Sequence, residues 1–207
     1  MLEPVGKGGK MAEQYEMLRP KNKYLSAFFA EEDILMLDTI VKYVDEKVMP
    51  RRQDLEGGWH RDGKLAEKTL DELYGGLVKL GLQKVNIPEN YGGLGASVLF
   101  RLAVNEELAR GDVGLASVTG KVHWLIGALL AAKRDDLLKE ITPKLIGNDG
   151  WTSCVAITES GGGANVEDPT QEGRTIKTTA RLIGDEYIIK GHKVWPGPGG
   201  PPTVFRR

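Results

Sequence analysis

The hydrophobic pattern of the chain changes once, near residues 148–151, and this change constrains the fold more than any other feature. Before it, apolar residues recur at helical spacing. After it, residues 174–195 are rich in β-branched side chains that alternate in part with polar ones. The sequence therefore predicts an α+β fold, with an all-α N-terminal domain followed by an incomplete antiparallel β domain.

The predicted helices fill the first two thirds of the chain. A helix over residues 31–50 has Ile34, Leu37, Val41, Val44 and Val48 on one face. A second has Leu70, Leu73, Leu77 and Leu80 on one face and stops at Gly81, and a third has Leu99, Leu102, Val104 and Leu108 before Arg110 and Gly111. Two more helices are predicted over residues 115–133 and 136–146.

The β-rich segment is punctuated by "GDE" and "KGH", which predicts a strand, turn, strand, turn, strand meander. We therefore expect an N-terminal extension over residues 1–30 and a helical domain over residues 31–150. A partial β domain would follow over residues 151–207, cut short in the proline-rich tail.

Charge and hydropathy exclude some partners. The 28 Lys and Arg residues balance 29 Asp and Glu residues, giving a formal net charge of −1 and no long-range field that favours nucleic acid. The longest apolar run, residues 124–132, is about half the length that a bilayer span needs. We expect it to be a buried helix, and the chain to have no membrane span.

The chain has a single cysteine, Cys154, which excludes an internal disulfide and a multi-cysteine metal site. His60, His123 and His192 lie far apart, so no metal site is predicted. A lone cysteine fits a reducing compartment, and the expected location is the cytoplasm. Cys154 lies in an apolar run and is expected to be a small buried hydrophobe.

The segment "VAITESGGGANV", residues 155–166, places a carboxylate and three consecutive glycines in an otherwise apolar stretch. From the residues alone, three interpretations remain open. The loop could be a mobile turn, because glycine accepts positive φ at no steric cost. Its N–H groups could converge on a phosphate, although neither common phosphate-loop motif is present. Glu159 could act as a base, although an acid beside glycines is more often a hydrogen-bond acceptor.

Several motifs occur in an order that resembles the acyl-CoA dehydrogenase family. They are "IPENYGGLG" at residues 87–95, "EELARGD" at 106–112, "AITESGGGAN" at 156–165 and "TARLIGDEYIIKGHKVW" at 179–195. The resemblance covers residues 31–195. It implies an oxidoreductase that oxidises the α,β bond of an acyl-CoA thioester and transfers a hydride to flavin adenine dinucleotide (FAD).

The resemblance also implies which residues hold the cofactor. The glycine loop is expected to run along FAD through Val155, Ile157, Thr158, Gly163 and Ala164. Thr158 would offer its hydroxyl and backbone to the pyrimidine edge of the flavin. Trp195 and Gly197 would pack near the flavin ring, where a planar redox group needs an aromatic or apolar wall.

The chain departs from the family pattern around these residues. Family members commonly read Thr-Glu-Pro and then Ala-Gly-Ser-Asp, where this chain has Ser160, Ala164 and Asn165. The usual Trp-Ile-Thr is Trp195, Pro196 and Gly197 here, so a threonine hydroxyl is missing. We expect both changes to weaken FAD binding, because a hydrogen bond to a charged group contributes about 1.5–3 kcal/mol.

The family's catalytic glutamate belongs to a C-terminal helical bundle with no counterpart before Arg207, so no catalytic residue is predicted here. We expect a truncated fragment that is inactive alone. The resemblance implies an acyl-CoA substrate, an electron-transfer flavoprotein or similar acceptor, and a role in fatty acid metabolism. A homo-oligomer remains open. So do two other functions: a non-catalytic FAD or acyl-CoA binding half-subunit that pairs with a separate C-terminal chain, and a helical interaction protein without cofactor.

Overall fold

The computed structural model describes residues 27–56, 61–147, 151–163, 165, 168–171 and 174–197. The chain divides into two compact units, residues 1–39 and 40–207. Of the first unit, the described residues are a turn and the beginning of the first helix. The elements that carry the candidate site all belong to the second unit.

The helical elements occupy the first two thirds of the chain, as predicted. They are α1 (Glu31–Tyr43), a π-helical turn (Val44–Val48), a 3-10 turn (Met49–Arg51), α2 (Arg52–Glu56), α3 (Gly63–Lys79), 3-10 turns (Leu82–Asn86 and Glu89–Tyr91), α4 (Val98–Gly111), α5 (Val113–Ala131) and α6 (Asp135–Ile146). A further 3-10 turn, Pro169–Gln171, precedes strands β1 (Thr179–Ile183) and β2 (Glu186–Lys190). The predicted α+β fold class is confirmed.

Side-chain caps fix where the helices begin. Asp62 accepts a hydrogen bond from the Leu65 N–H at the start of α3, and Ser97 accepts one from the Phe100 N–H at the start of α4. Asp112 accepts a hydrogen bond from the Leu115 N–H at 2.7 Å and so begins α5 directly after α4 ends. Each cap satisfies an N–H group that has no partner within its own helix.

The core of the helical region is apolar and closely packed. One cluster joins α5 and α6 to the segment between α3 and α4 through Ile87, Val122, Ile126, Leu138 and Leu145, all fully or almost fully buried. Near the end of α4, a Cβ built on Gly111 would lie 2.8 Å from the Val44 side chain. The α4 helix can therefore approach the π-helical turn only with glycine at this position.

The face predicted for α4 is partly wrong. Phe100, Val104 and Leu108 are buried, but Leu99 and Leu102 are 48% and 60% exposed. The helix carries two apolar faces, of which the described fold covers one. In α3 the predicted end at Gly81 is confirmed by its φ of 77°, whereas Leu80 is exposed.

The predicted β meander is reduced to a hairpin. Strands β1 and β2 pair antiparallel in a register that places Ile183 opposite Glu186 across the turn at Gly184. The predicted third strand is wrong: the described residues after Lys190 have no regular strand, and Gly197 makes only an isolated bridge with Val155. Every residue of both strands is exposed to solvent.

Helix α5 is long and apolar enough, by length and composition alone, to cross a membrane. Core helices of soluble proteins pass the same test, so the finding is weak evidence for a span. Leu115, Ala116, Thr119, Val122 and Ile126 of α5 are buried within the fold. The expectation that residues 124–132 form a buried helix is nevertheless wrong for most of the run: only Ile126 is buried there, and Trp124 and Leu130 are 53% and 43% exposed.

Candidate functional site

Backbone hydrogen bonds join the glycine loop to the residues around Trp195. The Val194 N–H donates to the Thr158 carbonyl at 2.9 Å, and the Val155 N–H donates to the Gly197 carbonyl at 3.3 Å. Segments 155–158 and 194–197 are distant in sequence but adjacent in the fold. The structure thus brings together most of the residues predicted to bind the cofactor.

Glu159 anchors the loop from inside. Its carboxylate accepts hydrogen bonds from the Lys177 N–H at 2.7 Å and the Thr178 N–H at 3.0 Å, and it also bonds the Thr178 hydroxyl. The Lys193 ammonium donates to it at 2.8 Å. These donors, Lys193 first and the Thr178 hydroxyl next, lower the pKa of Glu159 from its ordinary 4.5 to about 2.

A carboxylate with so low a pKa accepts protons poorly at neutral pH, since a general base works best with a pKa near the working pH. Glu159 is also buried behind the loop it holds. The arrangement therefore argues against the interpretation of Glu159 as a base and favours its role as a hydrogen-bond acceptor that fixes the geometry of the loop.

The glycines allow the loop to pack closely. Glu159 and Gly162 exchange both backbone hydrogen bonds, at 2.8 and 3.0 Å. A Cβ on Gly162 would lie 2.5 Å from the Thr175 Cβ, and one on Gly163 would lie 3.3 Å from the Thr158 methyl group. Residue 162 must therefore be glycine for the loop to keep this position. Ala164, the remaining loop residue expected to bind the cofactor, lies outside the described residues.

The outer surface of the site is apolar with one hydroxyl. Ile157 is 43% exposed, and Trp195 is 86% exposed with a left-handed φ of 50°. Thr158 follows Ile157, and its carbonyl accepts the hydrogen bond of Val194, the residue before Trp195. No described residue bonds the Thr158 hydroxyl. The surface thus offers an aromatic ring, an aliphatic side chain and a hydroxyl that no described residue bonds.

The segment before the loop is fixed to the helices. The Thr152 hydroxyl donates to the Val118 carbonyl at 2.9 Å, and the Ser153 hydroxyl donates to the Lys121 carbonyl at 2.7 Å. Cys154 follows as a free, half-buried thiol, so the expectation that it is a small buried hydrophobe is wrong. Its neighbour Ser153 takes the buried position against α5.

A groove of about 370 Å³ lies between α4 and α5. Its walls are mainly apolar and include Val98, Leu102, Leu108, Val113, Ala116 and Trp124. Lys121 also lines the groove, and a Cβ built on Gly197 would lie 3.9 Å from the Lys121 Cε. The groove therefore opens beside the residues that meet the glycine loop.

A second cavity of about 330 Å³ adjoins the groove. Val85, Asn86, Arg101 and His123 line both spaces and so mark their junction. The Nε atom of Arg101 is buried, and no described residue accepts a hydrogen bond from it. The sequence analysis did not predict the groove. The sequence feature that indicates it is the second apolar face of α4, which includes Leu102.

Comparisons with known proteins agree with this arrangement. Residues 30–149, more than half of the chain, match the family described as acyl-CoA dehydrogenase, N-terminal domain. The (2S)-methylsuccinyl-CoA dehydrogenase of Cereibacter sphaeroides is 28% identical over 165 residues, covering 80% of this chain and 27% of the relative. The mitochondrial short/branched chain specific acyl-CoA dehydrogenase of Bos taurus is 29% identical over 168 residues, covering 81% and 35%.

A solved structure of an acyl-CoA dehydrogenase complexed with FAD from Bacillus anthracis has the same fold over this region. It superposes with a TM-score of 0.65 at 24% identity and covers 82% of this chain and 27% of that chain. The chain thus spans about a quarter to a third of the length of these relatives. On the family match, this chain belongs to the acyl-CoA dehydrogenase family.

Proposed function

We propose that the chain takes part in the FAD-dependent dehydrogenation of an acyl-CoA thioester. In this proposal the glycine loop and residues 195–197 hold FAD, and the groove between α4 and α5 holds the acyl group. One observation carries it: Lys121 lines the groove and also lies beside Gly197. An acyl group in the groove would therefore end next to the cofactor residues.

The described residues fit a flavin. Trp195 and Ile157 would supply apolar surface to a planar ring, and the Thr158 hydroxyl, which no described residue bonds, would meet a polar edge. The Glu159 network keeps the loop in place before a ligand arrives, which lowers the entropic cost of binding. When bound, FAD supplies the hydride acceptor. The FAD complex of the Bacillus anthracis relative supports this assignment.

The groove suits a short acyl group. Leu102, Val113 and Trp124 are exposed apolar residues on its walls, and covering them would gain about 25 cal/mol per Å² of apolar surface. Such surface on a helix already packed by its other face indicates a binding role. Relatives named for branched-chain and methylsuccinyl-CoA thioesters support a thioester substrate.

We infer that the described residues contribute binding, not the base. The one acid in the glycine loop, Glu159, is held as an anion by Lys193 and the Thr178 hydroxyl. The proton at the α carbon would go to a carboxylate elsewhere in the assembled enzyme. The electron acceptor proposed for the assembled enzyme is an electron-transfer flavoprotein or a similar protein.

The test is a titration of the full chain with FAD, followed by flavin fluorescence and absorbance. We expect saturable binding that Thr158→Val weakens about tenfold, the effect of one lost hydrogen bond to the flavin. Thr179→Val, on the exposed strand β1, is the matched control and should bind as the wild type does. Absence of FAD binding would favour the alternative of a helical interaction protein without cofactor.

A further inference from the structure

We propose that the groove between α4 and α5 selects acyl groups that end in a carboxylate, and that Arg101 binds this carboxylate. The inference rests on the proposed function, because it takes the groove as the acyl site. It adds a substrate class and a specificity-determining residue.

Among the described residues, Arg101 lacks the carboxylate partner that Arg51, Arg52, Arg110 and Arg134 have. Arg51 pairs with Glu72, Arg110 with Glu107, and both arginine–carboxylate distances are under 3 Å. Among the described residues no carboxylate pairs with Arg101, and its Nε is buried without an acceptor. A buried guanidinium donor without an acceptor costs free energy that a bound anion would recover.

The charge of both cavities fits an anion. Arg101 and Lys121 line the groove, and Arg101 also lines the adjoining cavity. Among the described residues that line either space there is no Asp or Glu. A ligand with an apolar body and a negative end would complement the apolar walls and the Arg101 Nε donor, which has no acceptor among the described residues.

The positions of the two cations set the direction of the ligand. Lys121 lies at the end beside Gly197, where the proposed function puts the reacting carbons. Arg101 lies at the junction with the second cavity, together with Asn86 and His123. An acyl chain that enters beside the loop and ends at this junction brings its far end to Arg101.

This arrangement predicts strong discrimination between acyl groups that end in a carboxylate and acyl groups that end in a methyl group. An arginine can donate two parallel hydrogen bonds to a carboxylate. A methyl group at the same place would leave the guanidinium donors without partners, and sites built around a polar group reject analogues that lack it. We therefore expect the carboxylate-ended acyl group to bind at least about tenfold more tightly.

The experiment compares glutaryl-CoA with pentanoyl-CoA, which share a five-carbon acyl group and differ in the terminal carboxylate. Binding to the full chain, saturated with FAD, is measured by isothermal titration calorimetry. We expect a preference for glutaryl-CoA that Arg101→Met removes and Arg101→Lys partly keeps. Arg181→Met, on the exposed strand β1, is the matched control and should keep the full preference.

The outcomes separate the two proposals. Binding of both thioesters with equal affinity overturns the role of Arg101 and leaves the acyl site intact. Binding of neither thioester overturns the acyl site and this inference with it. Should Arg101→Met unfold the chain, as circular dichroism would show, the wild-type preference and Arg101→Lys decide the question: no preference in the wild type overturns the proposal.

Discussion

The Lys193 ammonium lies 2.8 Å from a carboxylate oxygen of Glu159 and 2.9 Å from the carbonyl oxygen of Ile157. One side chain thus holds the backbone on both sides of Thr158. Because the next residue, Val194, donates to the Thr158 carbonyl, the clamp also aligns the segment that contains Trp195. The position of the Thr158 side chain therefore depends on an ion pair made by its neighbour Glu159.

Acid should release this clamp. The pKa of Glu159 falls from 4.5 in the unfolded chain to about 2 in the fold, so its stabilising contribution is complete above pH 4.5. That contribution is lost as the pH falls from 4.5 toward 2. We expect the NMR signals of the Lys177 and Thr178 amides, which donate to the carboxylate, to titrate with a midpoint near pH 2.

Glu159→Gln provides the control, because its amide cannot titrate. In this variant the two amide signals should show no transition in the same range, and Lys193 should lose its ion pair at every pH. A midpoint near the ordinary 4.5 in the wild type would show that Lys193 and Thr178 do not hold the carboxylate in solution.

Gly162→Ala should displace the glycine loop. The new Cβ would lie 2.5 Å from the Thr175 Cβ, and relieving such an overlap costs about 1–3 kcal/mol. Differential scanning fluorimetry should show a lower melting temperature, and FAD affinity should fall. Gly161→Ala is the matched control, since its Cβ would lie 3.4 Å from the nearest atom, the Thr175 carbonyl oxygen. Equal effects of the two substitutions would argue against the packing of Gly162 on Thr175.

Arg110→Met should destabilise the helical region. The Arg110 guanidinium pairs with Asp45 at 2.7 Å and Glu107 at 2.9 Å, and its side chain is 11% exposed. Removing it breaks the ion pair of the largely buried Glu107, a loss of about 3 kcal/mol. Urea denaturation measures the change. Arg134→Met, which breaks the exposed pair with Asp136, is the control and should leave the midpoint unchanged.

The hairpin should be the least protected part of the described fold. Strands β1 and β2 pair only with each other, and all their residues are exposed. An isolated two-stranded hairpin is marginally stable in water. We expect amide hydrogen exchange across residues 174–195 to be faster than across residues 31–50. Equal protection, measured by mass spectrometry after the same labelling times, would contradict this expectation.

The sequence predicted the helices well because their periodic apolar residues and caps act locally. The predicted end of α3 at Gly81 and the hairpin turn at Gly184 are local signals of the same kind. Leu102 was placed in the core because periodicity does not tell which of two apolar faces the fold covers. The predicted third strand failed because residues 194–197 make only isolated hydrogen bonds with residues 155–158, and these do not extend into a continuous ladder.

The sequence likewise predicted only part of the candidate site. The motifs around Thr158 and Trp195 indicated which segments would meet, through the family resemblance. The partners of Glu159 come from residues far along the chain, Lys177, Thr178 and Lys193, so no local pattern predicts them. The groove and the Arg101 Nε, which no described residue accepts from, likewise depend on how α4 and α5 pack.

The position of Cys154 gives the chain a natural spectroscopic reporter. It follows Ser153, which is bonded to α5, and precedes Val155, which is bonded to Gly197. It is also the single cysteine of the 207 residues. A fluorine-bearing thiol label on the unmodified sequence would sit between the groove and the loop. The fluorine chemical shift of the label would distinguish a ligand that enters from the groove from a ligand that enters from the glycine loop.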